Sequence, residues 1–249
     1  MDDDTDVIKN ELSIIIPAWK ADKWINTCLQ SIYNQTWINK NSDWEILIGI
    51  DCCERTRRSI NCNKNLRIFF FNKHGGPYII RNTLAYKEAK YSNLLYFDSD
   101  DIMESDLIES CFELNKPFIT FQYGIGKDNV LTSSGSSFVK KELLIEYGGY
   151  QPWLCAADTD FIGRIVANGY EWSKLTGKNY MIRGRHNKQL TRMPSTGRHS
   201  SLRKNYQQQI IKNLENKIYY IEPTFGSYKE LLKLNSNNNI FKRRRLQFN

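Results

Sequence analysis

Short apolar runs separated by polar stretches organise the first half of the chain. Leu12-Ser13-Ile14-Ile15-Ile16 is a β-branched run stopped by Pro17, and it predicts a buried strand. Trp24, Ile25, Cys28, Leu29 and Ile32 follow at helical spacing and predict an amphipathic helix. Two further strands are expected over Glu45 to Ile50 and Leu66 to Phe71. Ile80, Leu84, Ala85 and Ala89 make a second helical stripe, and Asn93 to Phe97 reads as the next strand. Continuous apolar strands interleaved with helices argue for an α/β fold, with a mostly parallel sheet covered on both faces.

The second half is more mixed. Phe118 to Phe121 and Ser136 to Val139 read as strands, and Gly148-Gly149 as the end of a short helix. Phe161, Ile162, Ile165 and Val166 form the stripe of a helix over 158–168, with Gly169 at its C-terminal side. Residues 183–203 read as a long polar loop, followed by a basic helix over about 202–214 and a linker at 235–239. The pattern divides the chain into residues 1–115, a nucleotide-binding half; residues 116–180, the other half of the same domain; and residues 181–249, a basic loop and helical extension.

Composition sharpens this picture only in places. At 249 residues with 41% hydrophobic, the chain suits one large domain, or one domain with an appendage. No apolar run approaches the roughly 18 residues of a membrane span. The start, Met1-Asp2-Asp3-Asp4, is acidic where a signal peptide is basic and then apolar. A cytoplasmic location is therefore expected, in a bacterium or a virus-infected host. Six scattered cysteines without metal-like spacing predict reduced thiols. Charge is the informative term: residues 178–249 hold 16 Lys and Arg against 3 Asp and Glu, while residues 1–177 hold 19 against 24. A segment so basic, ending in Lys242-Arg243-Arg244-Arg245, suits peripheral contact with an anionic surface or simple solvation.

The sharpest chemical feature is Asp98-Ser99-Asp100-Asp101, directly after a predicted strand. If the chain stays extended there, side-chain alternation sends Asp98 and Asp100 to the same side. Open α/β sheets bind ligands beyond the C-terminal ends of their strands. Paired carboxylates without a neighbouring base suit a shared Mg²⁺ or Mn²⁺, which would neutralise a bound diphosphate. The competing reading is a solvated turn in which Asp101 or Ser105 caps the next helix.

The segments LSIIIPAWK, EILIGID, RNTLAYKEAKYSNLLYFDSDD and CAADTDF, in this order, resemble the inverting glycosyltransferases of family 2, which have the GT-A fold. The resemblance covers about residues 12–168. It implies that Pro17, Ala18 and Asp51 contact a nucleotide, with Ser99 beside them. It places Arg81 near the base or phosphates, Asp98 near the ribose or metal, and Asp100 on the metal. Asp158 would be the general base. Two departures stand out. The family's second acidic residue and glycine after the second strand are replaced by Cys52-Cys53-Glu54, and its Glu-Asp pair is here Ala157-Asp158.

Read without the family, Asp158 is equally a helix-capping residue, with Asp160 complementing the first turn. His186 falls where relatives often carry a histidine that completes the metal site, and the loop after it is a candidate lid. Lys73-His74-Gly75-Gly76-Pro77 reads as a turn, and its two glycines are not a P-loop.

The expectation is thus a metal-dependent enzyme that moves a sugar from a nucleotide-sugar, a UDP-sugar first, to an acceptor hydroxyl with inversion. Trp153, Asp160 and Arg185 are candidate acceptor contacts. The acceptor is expected to be a glycan or glycolipid. The alternative is a hydroxylated base in phage-like DNA, flipped toward Tyr150 and Trp153. A sugar-nucleotidyltransferase and a non-catalytic nucleic-acid-binding protein are more distant readings.

Overall fold

The computed structural model describes residues 10–124, 130–184, 186 and 189–233. Arg185, the linker at 235–239 and the basic run 242–245 lie outside them. The described strands are β1 (Leu12–Ala18), β2 (Trp44–Asp51), β3 (Leu66–Phe71), β4 (Asn93–Tyr96), β5 (Ile102–Met103), β6 (Phe118–Gly124), β7 (Val130–Lys140), β8 (Ser173–Leu175), β9 (Met181–Ile182) and β10 (Tyr228–Lys233). The helices are α1 (Ile25–Tyr33), α2 (Thr36–Lys40), α3 (Glu54–Ser59), α4 (Pro77–Lys87), α5 (Leu107–Leu114), α6 (Lys141–Tyr147), α7 (Ala157–Ala167) and α8 (Ser201–Glu215).

All these strands join one sheet in the order β10-β3-β2-β1-β4-β7-β6-β9-β5, with β8 beside β6. β3, β2, β1 and β4 form one parallel block, and the short β8 and β9 pair parallel with β6. β7 runs antiparallel to β4 and β6, and β10 antiparallel to β3. The expected mostly parallel sheet is therefore its N-terminal half, and the whole is mixed. The boundary expected at residue 115 falls between α5 and β6, and the sheet continues across it.

Alternation along the central strands builds two cores. Ile14, Ile16, Ile46 and Ile48 pack with Cys28, Leu29 and Ile32 of α1 on one side. Ile15 and Leu47 pack on the other with Ile80 and Leu84 of α4 and Phe161 and Ile165 of α7. Both faces are covered, which is why apolar residues run consecutively along the middle of these strands. The six cysteines are free, with Cys28, Cys111 and Cys155 buried in the packing as expected. No helix among the described residues is long and apolar enough to cross a membrane.

Parallel pairing brings the C-terminal ends of β1, β2 and β4 to one edge of the sheet, so Ala18, Asp51 and the residues after Tyr96 gather there. β7 passes β4 in the opposite direction, with Ser137 opposite Tyr96. Its preceding residues, Ser134 and Gly135, thus extend over the same edge. Residues 183–200, between β9 and α8, contain no helix or strand among those described, which agrees with the polar loop expected there.

Candidate active site

A cavity of about 420 Å³ opens at this edge. It is lined by Pro17, Ala18, Asp51, Arg81, Asp98, Ser99, Asp100, Asp158 and His186, so residues expected from six separate segments meet in one place. Trp153 and Asp160 do not line it, although Leu154 and Cys155 do. Gln189, Leu190, Thr191 and Met193 of the polar loop form another wall, which suits the lid expected of that segment.

The strand-alternation argument for the paired aspartates does not hold. β4 ends at Tyr96, and residues 98–101 close a turn in which Asp101 N donates to Asp98 O over 3.2 Å. The two carboxylates reach the cavity but take different partners. Asp98 Oδ1 accepts from Arg81 Nη2 at 2.6 Å, and Arg81 is almost fully buried between the rings of Tyr78 and Tyr96. Burial opposes the guanidinium charge, but Asp98 acting together with Tyr150, Tyr78 and Asp158 raises the Arg81 pKa above its usual value. Asp100 Oδ2 lies 2.8 Å from His186 Nε2, and the His186 ring stacks on Trp24 with centroids 3.7 Å apart. Burial and the nearby Asp98 charge push the Asp100 carboxyl up, while His186 pulls it back.

Asp101 caps no helix. Its Oδ1 accepts from Gly184 N at 3.0 Å, and its Oδ2 has no hydrogen-bond partner among the described residues. Burial, reinforced by Asp98 and Asp100, raises its pKa well above that of an ordinary carboxyl. Ser105 and Asp106 supply no side-chain cap to α5 either.

Asp158 resolves the capping alternative. The N-cap of α7 is Ala156, held at φ 66°, and no side chain caps the helix. The Asp158 carboxylate instead leaves its own helix. Oδ1 accepts from the Tyr78 hydroxyl at 2.8 Å and Oδ2 from the Ser134 hydroxyl. A Cβ built on Gly135 would lie 3.3 Å from Asp98 Oδ2 and 3.9 Å from both Arg81 Nη2 and Asp158 Oδ2. Three charged groups from the turn after β4, α4 and α7 therefore surround one point on the cavity floor.

Asp51 sits in the cavity, but its carboxylate is engaged by the turn that precedes α4. It accepts from Gly75 N (2.9 Å) and Gly76 N (3.0 Å), and His74 Nδ1 lies 2.7 Å from its Oδ2. His74 in turn stacks on Trp19 at 4.8 Å, forming an aromatic wall that sequence patterning did not reveal. Asp160 is not an acceptor contact in this arrangement. It is buried and ion-paired to Arg164 at 2.9 Å, and Arg164 also donates to the carbonyls of Tyr147 and Gly149. Its first-turn position made it look available, but the same turn faces the core. Tyr78 and Ser134 went unnoticed for the opposite reason, since nothing local marks a hydroxyl whose partner lies 80 or 24 residues away.

Residues 13–123 match the Glycosyl transferase family 2 profile. Among curated proteins, an uncharacterized glycosyltransferase of Rickettsia conorii is 32% identical over 102 residues, covering 40% of this chain and 16% of that protein. Chondroitin synthase of Pasteurella multocida is 26% identical over 168 residues, covering 66% of this chain and 14% of that enzyme. The chain thus spans about a sixth of the length of these relatives. Among solved structures, S. aureus TarS in complex with UDP-GlcNAc superposes with a TM-score of 0.59 at 17% identity, covering 86% of this chain and 74% of that one. The likeness is one of fold, and it agrees with the GT-A arrangement expected from the motif order.

Proposed function

Because residues 13–123 match the family 2 glycosyltransferase profile and the fold is similar to that of TarS, we propose that this protein transfers a sugar from a nucleotide-sugar to an acceptor hydroxyl with inversion of the anomeric carbon. The observation that carries the reading is the Asp158 carboxylate, turned out of its own helix and held toward the same floor as Asp98 and Arg81. The donor is proposed to be a UDP-sugar, a reading supported by the UDP-GlcNAc complex of TarS.

Asp100 and His186 would hold a divalent cation. The test of fit is their geometry: one carboxylate oxygen and one imidazole nitrogen 2.8 Å apart on the cavity wall. A mixed oxygen and nitrogen pair suits Mn²⁺ better than Mg²⁺, which prefers oxygen alone. No group of three metal-ligating side chains occurs among the described residues. Two protein ligands would leave further positions for diphosphate oxygens and water. When bound, the ion would supply positive charge to the departing diphosphate.

The side chains do the rest. Arg81 fixes Asp98 at the end of β4, so the cavity floor keeps its shape without donor. Tyr78 and Ser134 orient Asp158, which takes the proton from the acceptor hydroxyl as its oxygen bonds to the anomeric carbon. Attack from the face opposite the leaving diphosphate gives inversion. The polar loop from Gln189 to Met193 stands between the cavity and water, where a glycosyl centre is otherwise open to hydrolysis.

Thermal unfolding with UDP, GDP and Mn²⁺ tests the donor half of this reading. A ligand that binds only the native state raises its melting temperature. UDP with Mn²⁺ should raise it, and Asp100→Asn should remove the Mn²⁺-dependent part. No shift with either nucleotide would contradict the reading.

A further inference from the structure

Beside the main cavity, on the other side of segment 153–155, lies a second groove of about 590 Å³. Its wall carries Gln151, Trp153, Asn205, Tyr206, Gln209 and Asn213 together with two isoleucines. Among the described residues no Asp, Glu, His, Lys or Arg lines it, in a chain whose residues are 25% charged and whose α8 is basic. We infer that this groove binds an oligosaccharide stretch of the acceptor, so that the acceptor is a glycan chain rather than nucleic acid. The inference rests on the glycosyltransferase reading above and gives it a substrate class.

Three observations support it. First, the Trp153 and Tyr206 rings are stacked, with centroids 4.4 Å apart and planes 2° from parallel. Both are only half-buried, so together they form a rigid aromatic ledge in the groove wall. Aromatic surface of this kind binds the C–H face of a sugar ring at little entropic cost.

Second, the amides are fixed in place. Gln209 Nε2 donates to Asn213 Oδ1 at 2.7 Å, and Asn213 is itself buried. That leaves the Gln209 carbonyl and its second N–H available, one acceptor and one donor. A sugar hydroxyl, itself donor and acceptor, matches such a carboxamide. A nucleic-acid strand would instead call for cations along its phosphates, and the groove wall offers none.

Third, the groove adjoins the proposed base. Trp153 belongs to the groove, while Leu154 and Cys155 belong to the main cavity. Trp153 and Cys155 are separated by at most about 7 Å of backbone. Asp158 follows three residues later, so a sugar seated on the ledge leads directly to the cavity that holds the carboxylate.

The test is retention of the full chain on an array of immobilised neutral and N-acetylated oligosaccharides, alongside a short DNA duplex. Wild type, Trp153→Ala and Gln209→Ala would be compared, with thermal response to UDP and Mn²⁺ read on each. Gln209 is exposed on α8, so its variant tests the groove even if Trp153→Ala folds poorly. The expected result is oligosaccharide retention by wild type that falls at least roughly tenfold in the variants, about the loss of one good contact, with the UDP response intact. Failure to retain any oligosaccharide, or equal retention by both variants, would overturn the inference. DNA retention that depends on these two residues would overturn it in favour of nucleic acid. Oligosaccharide binding through the groove with no UDP response in wild type would sink the donor reading and leave the groove standing.

Discussion

Tyr78, the second residue of α4, donates its hydroxyl to Asp158 Oδ1 across 2.8 Å, joining two helices at the proposed base. With Ser134 on the other oxygen, the carboxylate is held from two sides. Burial, reinforced by the Asp158 charge, pushes the Tyr78 phenol well above its ordinary pKa, so it remains a donor throughout the working range.

Tyr78→Phe keeps the buried ring and removes only that donor. A hydrogen bond to a charged group is worth about 1.5–3 kcal/mol. Steady-state kinetics should therefore show kcat lower by roughly tenfold to a hundredfold, with donor KM nearly unchanged. Ser134→Ala should act in the same direction. A purely structural role for these hydroxyls predicts lower stability and normal kcat.

Gly184 packs against the acidic turn. A Cβ there would meet the Asp100 carbonyl oxygen at 2.3 Å, so Gly184→Ala must displace either that turn or the loop. Overpacking of this kind costs about 1–3 kcal/mol. Calorimetric titration should show Mn²⁺-dependent UDP binding weakened by roughly tenfold or more, the equivalent of about 1.4 kcal/mol. Unchanged affinity would show that the turn and loop are not coupled.

The buried Asp160–Arg164 pair predicts a pH-dependent effect on stability. Burial raises the Asp160 pKa and Arg164 pulls it back. A carboxyl raised on folding contributes stability that is present below its unfolded pKa, near about 3.9, and lost as pH rises through the folded value. Arg164→Met removes the restraining charge. Denaturant unfolding should show a deficit already near the unfolded pKa, from the Tyr147 and Gly149 carbonyls left without their donor, and this should grow by about 3–5 kcal/mol toward neutral pH, typical of a broken buried pair. Adding Asp160→Asn should recover part of it. A deficit that does not depend on pH would contradict this account.

What the sequence made legible follows from how locally each feature is encoded. β1 to β4 carry consecutive apolar residues because both sheet faces are covered, and α7 announces itself through Phe161, Ile162 and Ile165. β7 is longer than the expected Ser136–Val139 because its serines and threonine carry no apolar alternation. Pairing with β4 and β6 recruits them. β10 was unreadable for the same reason, being a polar edge strand tied down by Arg67–Glu230 and Tyr228–Glu88. In the site, Asp98, Asp100 and Asp158 stood out by motif. Their partners Arg81, His186, Tyr78 and Ser134 are set by tertiary contact, and only the first two were marked by the family resemblance.

The central claim is that Asp158 activates the attacking hydroxyl in an inverting displacement at the floor of this cavity. Water can stand in for the acceptor, so proton NMR of the sugar released from UDP-GlcNAc with Mn²⁺ reads it directly, provided the first product anomer is recorded before mutarotation. The account predicts the β-anomer from the α-linked donor. It also predicts that Asp158→Asn slows release by roughly 10²- to 10⁴-fold while leaving UDP affinity unchanged. Release of the α-anomer, or undiminished turnover by Asp158→Asn, would contradict it.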